Sequence, residues 1–231
     1  MFSYDDAILQ RYPTIRAGLL HATGLVNAAS PTSLLTDYRA EQQAAAAELH
    51  DTAVTELPSI AAWRRAFRRF GADPTQHRSA PEALLRWIAK RGEIPTISAL
   101  VDIGNLVSIR HAVPVAVFDL AKVTGTINVR FATGDEVFTG IGIAEPVHPE
   151  TGEVIFVDSD DHVLARRWCW RQSASGATDA TTTTAVFVIE AHHDMAGDDI
   201  AAALTDLEAL LASHQPHSRS ERHAPFPSGS M

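Results

Sequence analysis

The chain has 231 residues, 45% of them hydrophobic and 20% charged, with a formal net charge of −9; this predicts one globular domain, with room for an added segment, and argues against indiscriminate binding of polyanions. Cys169 is the single cysteine, so no intrachain disulfide forms, as suits a reducing compartment. The opening MFSYDDAILQ is not a signal peptide and no apolar run approaches the roughly eighteen residues of a membrane span, so the expected location is cytoplasmic.

Residues 1–56 read as a leading segment packed on the domain, with a strand over 14–20 and a helix over 33–50 built on the alanine-rich EQQAAAAEL. They carry no visible chemistry. Ser59 caps the next helix. Ile60, Trp63, Phe67 and Phe70 take one side of it, Arg64, Arg65, Arg68 and Arg69 the other, and Gly71 ends it. Ser79-Ala-Pro-Glu82 matches a capping box, and that helix runs through Leu84, Leu85 and Ile88 to Arg91. Between 61 and 91, Arg78, Arg86, Lys90 and Arg91 join the four arginines, against only Asp73 and Glu82. Such a patch on an acidic chain suits a specific phosphate backbone. It is equally a solvated helix face.

Ser98 caps a helix to about Arg110. Leu100, Ile103 and Val107 share one face, and Asp102 and Asn105 lie on the other. Pro114 stops the helix. A buried strand over 115–118 follows, then a turn at Gly125 and an alternating strand over 126–131. Further strands are predicted over 137–143, 154–158, 163–170 and 183–190, with turns at Gly140, Pro146, Pro149 and Gly152. Asp198 caps a last helix with Ile200, Leu204, Leu207 and Leu211 at helical spacing. Residues 57–213 thus form the main domain. Residues 214–231 lack periodic apolar positions and read as a disordered tail. Helices, then strands, then a helix predict an α+β fold rather than a doubly wound parallel sheet.

Glu190 is the most informative acid, because it ends the otherwise apolar or threonine-bearing strand TTTTAVFVIE. A carboxylate there sits at a pocket edge, needs a buried partner, or simply meets water at the strand end. Asn105 offers amide donors and acceptors to a ligand, or is a helix-surface residue. Strand alternation turns Arg166, Trp168 and Trp170 one way and Arg167, Cys169 and Arg171 the other. The tryptophans can stack a nucleotide base or pack in the core. Cys169 has no readable histidine partner and reads as a buried thiol. His192-His193-Asp194 is not a metal site, since neighbours on a strand face opposite ways. Neither a glycine-rich nucleotide motif nor a G-x-S-x-G elbow is present, and no cofactor is expected.

As an ordered set, VDIGN at 101–105, VFD at 117–119, INVR at 127–130 followed by Ala132, Gly-Asp-Glu at 134–136 and VIEA at 188–191 resemble the B3/B4 domain of the β subunit of phenylalanyl-tRNA synthetase. The resemblance covers roughly 60–211. In that family the domain is the editing module, which hydrolyses wrongly charged aminoacyl-tRNA. The resemblance implies packed sheets covered by helices. It implies a free-standing aminoacyl-tRNA deacylase rather than a full synthetase, with aminoacylated tRNA as the partner. By the same resemblance, Glu190 and Asn105 position the substrate and act in catalysis, with Asp102, Trp168 and Trp170 around them. Arg64, Arg65, Arg68, Arg69, Lys90 and Arg91 hold tRNA. The family commonly has a histidine where this chain has Ala116, so a substrate-binding pocket remodelled at Ala116 is expected. The alternative is a binding module for tRNA or an amino acid that has lost catalysis.

Overall fold

In a computed structural model, residues 2–226 are described. Two β-sheets face each other, and helices cover the outer face of one. The first sheet holds β1 (Phe2–Tyr4), β4 (Ile127–Phe131), β5 (Val154–Val157), β6 (Val163–Arg166) and β7 (Arg171–Gln172), in the order β1-β4-β5-β6-β7. The second holds β3 (Val115–Asp119), β8 (Thr184–Ala191), β2 (Arg16–Thr23) and β9 (Arg219–Phe226), in that order. The helices are α1 (Asp6–Arg11), α2 (Thr32–Glu48), α3 (Pro58–Arg69), α4 (Ala80–Arg91), α5 (Ala99–His111) and α6 (Ala196–His214). The fold is α+β, as the order of predicted elements implied. No helix among the described residues is long and apolar enough to cross a membrane.

The period-two alternation of β8 divides the core. Val186 and Val188 point between the sheets, where they meet Phe2, Phe118, Phe156, Leu164 and Trp168. Ala185, Phe187, Ile189 and Ala191 point the other way, into a second core closed by α2, α4, α5 and α6. Gly18 of β2 lies on this helix-covered side. A Cβ there would stand 2.5 Å from Ile200 Cγ2 and 2.8 Å from Leu204 Cδ1 of α6. The glycine lets α6 approach the sheet closely. Gly18→Ala is expected to cost about 1–3 kcal/mol by overpacking. Denaturant unfolding checks this; an unchanged midpoint would mean that α6 shifts freely.

Several expectations are corrected. Residues 2–56 are not a segment laid on a finished domain. They supply β1, paired in parallel with β4, and β2, an interior strand between β8 and β9. The tail is not disordered over 219–226. It forms β9 on the free edge of β2, whose backbone groups need partners that a polar strand supplies as well as an apolar one. Residues 227–231 of the expected tail lie outside the described residues. The stretch 137–143 makes only isolated bridges, Phe138 to Val147 and Gly140 to Ser173. The last helix begins at Ala196, before its expected cap. Nor is α5 two-faced: Asp102 is fully buried along with Leu100, Ile103 and Val107, because α5 is covered from several sides.

Candidate functional site

The site is built on the end of β8. Alternation turns Glu190 to the same side as Val186 and Val188, so its carboxylate enters the apolar layer between the sheets, 3% exposed. Two donors meet it there. Tyr4 of β1 donates its hydroxyl to Glu190 Oε1 at 2.5 Å. Trp168 donates its indole N–H to the same oxygen at 2.9 Å. Neither donor is a cation. Burial therefore outweighs both hydrogen bonds, and the carboxyl pKa rises to about 7. Glu190 Oε2 has no hydrogen-bond partner among the described residues.

Trp168 is held by a strained turn. Strand β6 ends at Arg166, and Arg167 and Trp168 take left-handed φ values of 45° and 60°. Each costs about 1–3 kcal/mol for a residue with a Cβ. Buried Glu153 offsets this strain. It accepts from Arg166 Nε and Nη2, both at 2.8 Å, and from the Arg167 backbone N–H at 3.0 Å. The Trp168 N–H donates to the Val154 carbonyl at 2.7 Å. The expected alternation through 170 fails at this turn. Trp168 goes fully into the core, and Trp170 stays half-buried, with Arg167 and Arg171 over its ring at 4.8 and 4.6 Å.

Between these groups lies a cavity of about 80 Å³, whose lining includes Ala116, Phe156, Trp168, Trp170, Gln172 and Glu190. Its walls are mainly apolar, and Glu190 is the acid among them. Ala116, Trp168, Trp170 and Glu190 thus line one cavity. Cys169 also lines the cavity, but burial, and then Glu190, push its thiol pKa well up, so it stays protonated. Among the described residues a larger cavity, about 540 Å³, lies between α2, α5 and the β8–α6 connection. We place the candidate site at the smaller one, because it holds the buried carboxylate whose pKa stands near neutrality.

Asn105 and Asp102 do not join it. Helix α5 packs on Val115 and Val117 of β3, the face opposite Ala116 and Phe118. The sheet therefore stands between α5 and Glu190. The Asn105 amide lies against the Tyr38 phenol of α2. Asp102 accepts from the Ser30 hydroxyl at 2.6 Å and the Ile97 N–H at 2.9 Å, which pins the loop entering α5. Both residues are corrected from site to scaffold, since β3 separates them from the cavity. Asn105→Ala is expected to change the rate of any reaction at Glu190 less than about threefold, the range of effects without direct contact. Steady-state kinetics of the folded variant checks it, and a large loss would return Asn105 to the site.

The basic residues also divide. Arg64 is only 15% exposed in its side chain and is bound to buried Glu82 at 2.6 Å, which Arg86 also meets at 2.9 Å. It is a strut between α3 and α4, not a surface for tRNA. Arg65, Arg68, Arg69, Lys90 and Arg91 are exposed. His193 pairs with Asp199 at 2.6 Å, whereas His192 is buried edge-on to Trp63 and Trp168. Burial, then Arg69 and Arg65, hold the His192 pKa down at about 3, so its ring is neutral at physiological pH. Sequence reasoning missed Tyr4, which comes from a three-residue strand with no periodic signal. It also missed Gln172, which the corrected turn brings to the cavity wall.

A family model, the B3/4 domain, matches residues 62–206. The phenylalanine–tRNA ligase β subunit of Shewanella oneidensis is 34% identical over 92 residues, covering 40% of this chain and 11% of that protein. The same subunit of Colwellia psychrerythraea is 36% identical over 87 residues, covering 38% of this chain and 10% of that protein. This chain therefore spans about a tenth of the length of these curated relatives. A crystal structure of an N-terminal fragment of the phenylalanyl-tRNA synthetase β subunit from Pyrococcus horikoshii aligns with a TM-score of 0.48 at 11% identity, covering 98% of this chain and 54% of that one. Because the matched region takes in more than half of the 231 residues, including α5, β3 and Glu190, the chain belongs to the B3/4 domain family.

Proposed function

We propose that this chain is an aminoacyl-tRNA deacylase that acts in trans, hydrolysing the ester between an amino acid and the terminal ribose of a mischarged tRNA. The observation that carries the reading is Glu190: a buried carboxyl with a pKa of about 7, one oxygen without a hydrogen-bond partner among the described residues, at the wall of a small cavity in a B3/4 domain. Relatives named as phenylalanine–tRNA ligase β subunits support tRNA as the partner.

In the mechanism Glu190 Oε2 takes a proton from water as the water oxygen attacks the ester carbonyl. The tetrahedral intermediate expels the ribose oxygen, which receives the proton, so that free amino acid and tRNA leave. Tyr4 and Trp168 hold the carboxylate in place through Oε1. Arg171, which also lines the cavity and lies over Trp170, brings positive charge toward the developing oxyanion. A volume of about 80 Å³ admits a short side chain and not a tyrosyl ring, so glycyl, alanyl and seryl esters are the favoured class. Among the exposed basic residues, Arg65, Arg68, Arg69, Lys90 and Arg91 are the candidates to meet tRNA phosphates.

The test follows ester loss from a panel of tRNAs charged with glycine, alanine, serine, phenylalanine or tyrosine. Expected is rapid loss of one or more short-chain esters by the wild-type chain, abolished by Glu190→Gln. No loss above that in buffer would overturn the reading. It would favour a binding module without hydrolysis, which Ala116, having no group for proton transfer, supports.

A further inference from the structure

Among the described residues, four exposed arginines on one side of the molecule pair with no carboxylate. Arg65, Arg68 and Arg69 stand on the outer face of α3, and Arg11 ends α1; all are exposed. Among the described residues none of the four forms an ion pair, whereas Arg64, Arg86, Arg110, Arg130, Arg166 and Arg167 all do. The chain as a whole is acidic at −9, so the cluster does not follow from a basic composition. Three of the charges sit at i, i+3 and i+4 on α3, an arrangement that opposes folding unless an anion relieves it.

Arg11, Arg68 and Arg69, with Phe70, Gly71 and Phe131, line an open groove of about 460 Å³. Rings and backbone, not acids, hold the Arg11 and Arg69 guanidiniums. Arg11 lies over the Phe131 ring at 5.7 Å and donates to the Arg69 carbonyl. Arg69 lies over the Tyr12 ring at 5.1 Å. They are thereby oriented before any ligand arrives, with N–H groups to spare. Their field also reaches inward, since Arg69 and Arg65 both help to depress the His192 pKa.

We propose that this groove binds the phosphodiester backbone of single-stranded RNA, the guanidiniums pairing with successive phosphates. The choice of RNA rests on the deacylase reading; the charge and geometry do not. One aromatic wall separates the groove from the Glu190 cavity. Tyr12 and Phe70 contact Trp168 at 4.9 and 6.4 Å between ring centres, and Trp168 donates to Glu190. The groove and the cavity lie on either side of this wall and share no lining residue. Arg11 lies outside the family match at 62–206, so this part of the groove comes from the leading segment.

The test measures binding of a short, labelled, single-stranded oligoribonucleotide by fluorescence anisotropy over a salt series. Variants are Arg11→Ala, Arg68→Glu and the pair together, with Arg39→Ala, exposed on α2 and outside the groove, as the control. Circular dichroism checks each fold. Expected is a loss of about tenfold or more for the groove pair with a shallower salt slope, and less than about threefold for the control. An alanyl ester of adenosine, which has no phosphate, is hydrolysed by the groove variants at the wild-type rate. RNA binding unchanged in the groove variants overturns the proposal, even where that ester is hydrolysed. Tighter binding to phosphatidylserine vesicles than to RNA also overturns it. Loss of RNA binding in a protein that hydrolyses no ester leaves the groove standing and removes only the deacylase reading.

Discussion

Glu190→Gln is expected to lower the rate of ester hydrolysis by about 10²–10⁴, the usual contribution of a general base. The substitution keeps the shape and keeps an acceptor for Tyr4 and Trp168, so both buried donors remain satisfied. The remaining wild-type behaviour follows from the carboxyl pKa of about 7. The rate should rise with pH and level off above 7, because only the ionised carboxyl accepts a proton. Stability should run the other way. A folded-state pKa above the ordinary 4.5 means that the native state binds the proton more tightly than the unfolded chain. Wild-type stability attributable to this group is therefore greatest below pH 4.5 and falls as pH rises toward 7. Across that window the loss is roughly 3 kcal/mol. Glutamine has no such loss, so the variant should gain about 5–10 °C in Tm over wild type at pH 8 and little at pH 4. A dead but more stable variant would mark the carboxylate as kept for chemistry. A Tm difference independent of pH would mean that Glu190 titrates normally and is no general base.

Glu153→Ala is expected to be the most destabilising single change considered, by about 3–5 kcal/mol, because it leaves Arg166 buried without its carboxylate. Arg166 is 6% exposed and Glu153 3%, so water cannot replace the lost bonds. The consequence extends to the site. Glu153 also accepts the Arg167 N–H, and Arg167 and Trp168 both occupy left-handed backbone. Released from Glu153, the turn relaxes and Trp168 withdraws its N–H from Glu190. Urea unfolding gives the stability. Indole fluorescence and the pH–rate profile report Trp168, since losing that donor raises the Glu190 pKa further. Replacing the pair together by apolar residues, Glu153→Leu with Arg166→Met, should restore only part of the stability: it removes the unpaired buried charge, while the Arg167 N–H still lacks its acceptor. A loss below about 1 kcal/mol for Glu153→Ala would mean that the pair is solvated.

The sequence alone carries much of this protein. Helical spacing marks α3, α4 and α5, with their ends read near Gly71, Arg91 and Pro114. Alternation marks β4 and β8 and makes Glu190 conspicuous as an acid in an apolar strand. The ordered motifs point to the family to which the chain belongs. Local pattern sets which residues share a face, because backbone geometry does so within each element. It does not say what covers that face. Only the tertiary structure decides that α5 lies across the sheet from Glu190, which removes Asn105 and Asp102 from the site. Only it joins Tyr4 to a residue 186 positions later, or consumes Arg64 on Glu82 while Arg65 meets no carboxylate among the described residues. The turn at 167–168 and strand β9 follow the same rule. The first exists because Glu153 holds it, and the second because β2 offers an open edge. A carboxylate becomes a base near pH 7 through desolvation, which depends on everything packed around it, and no run of neighbouring letters encodes that.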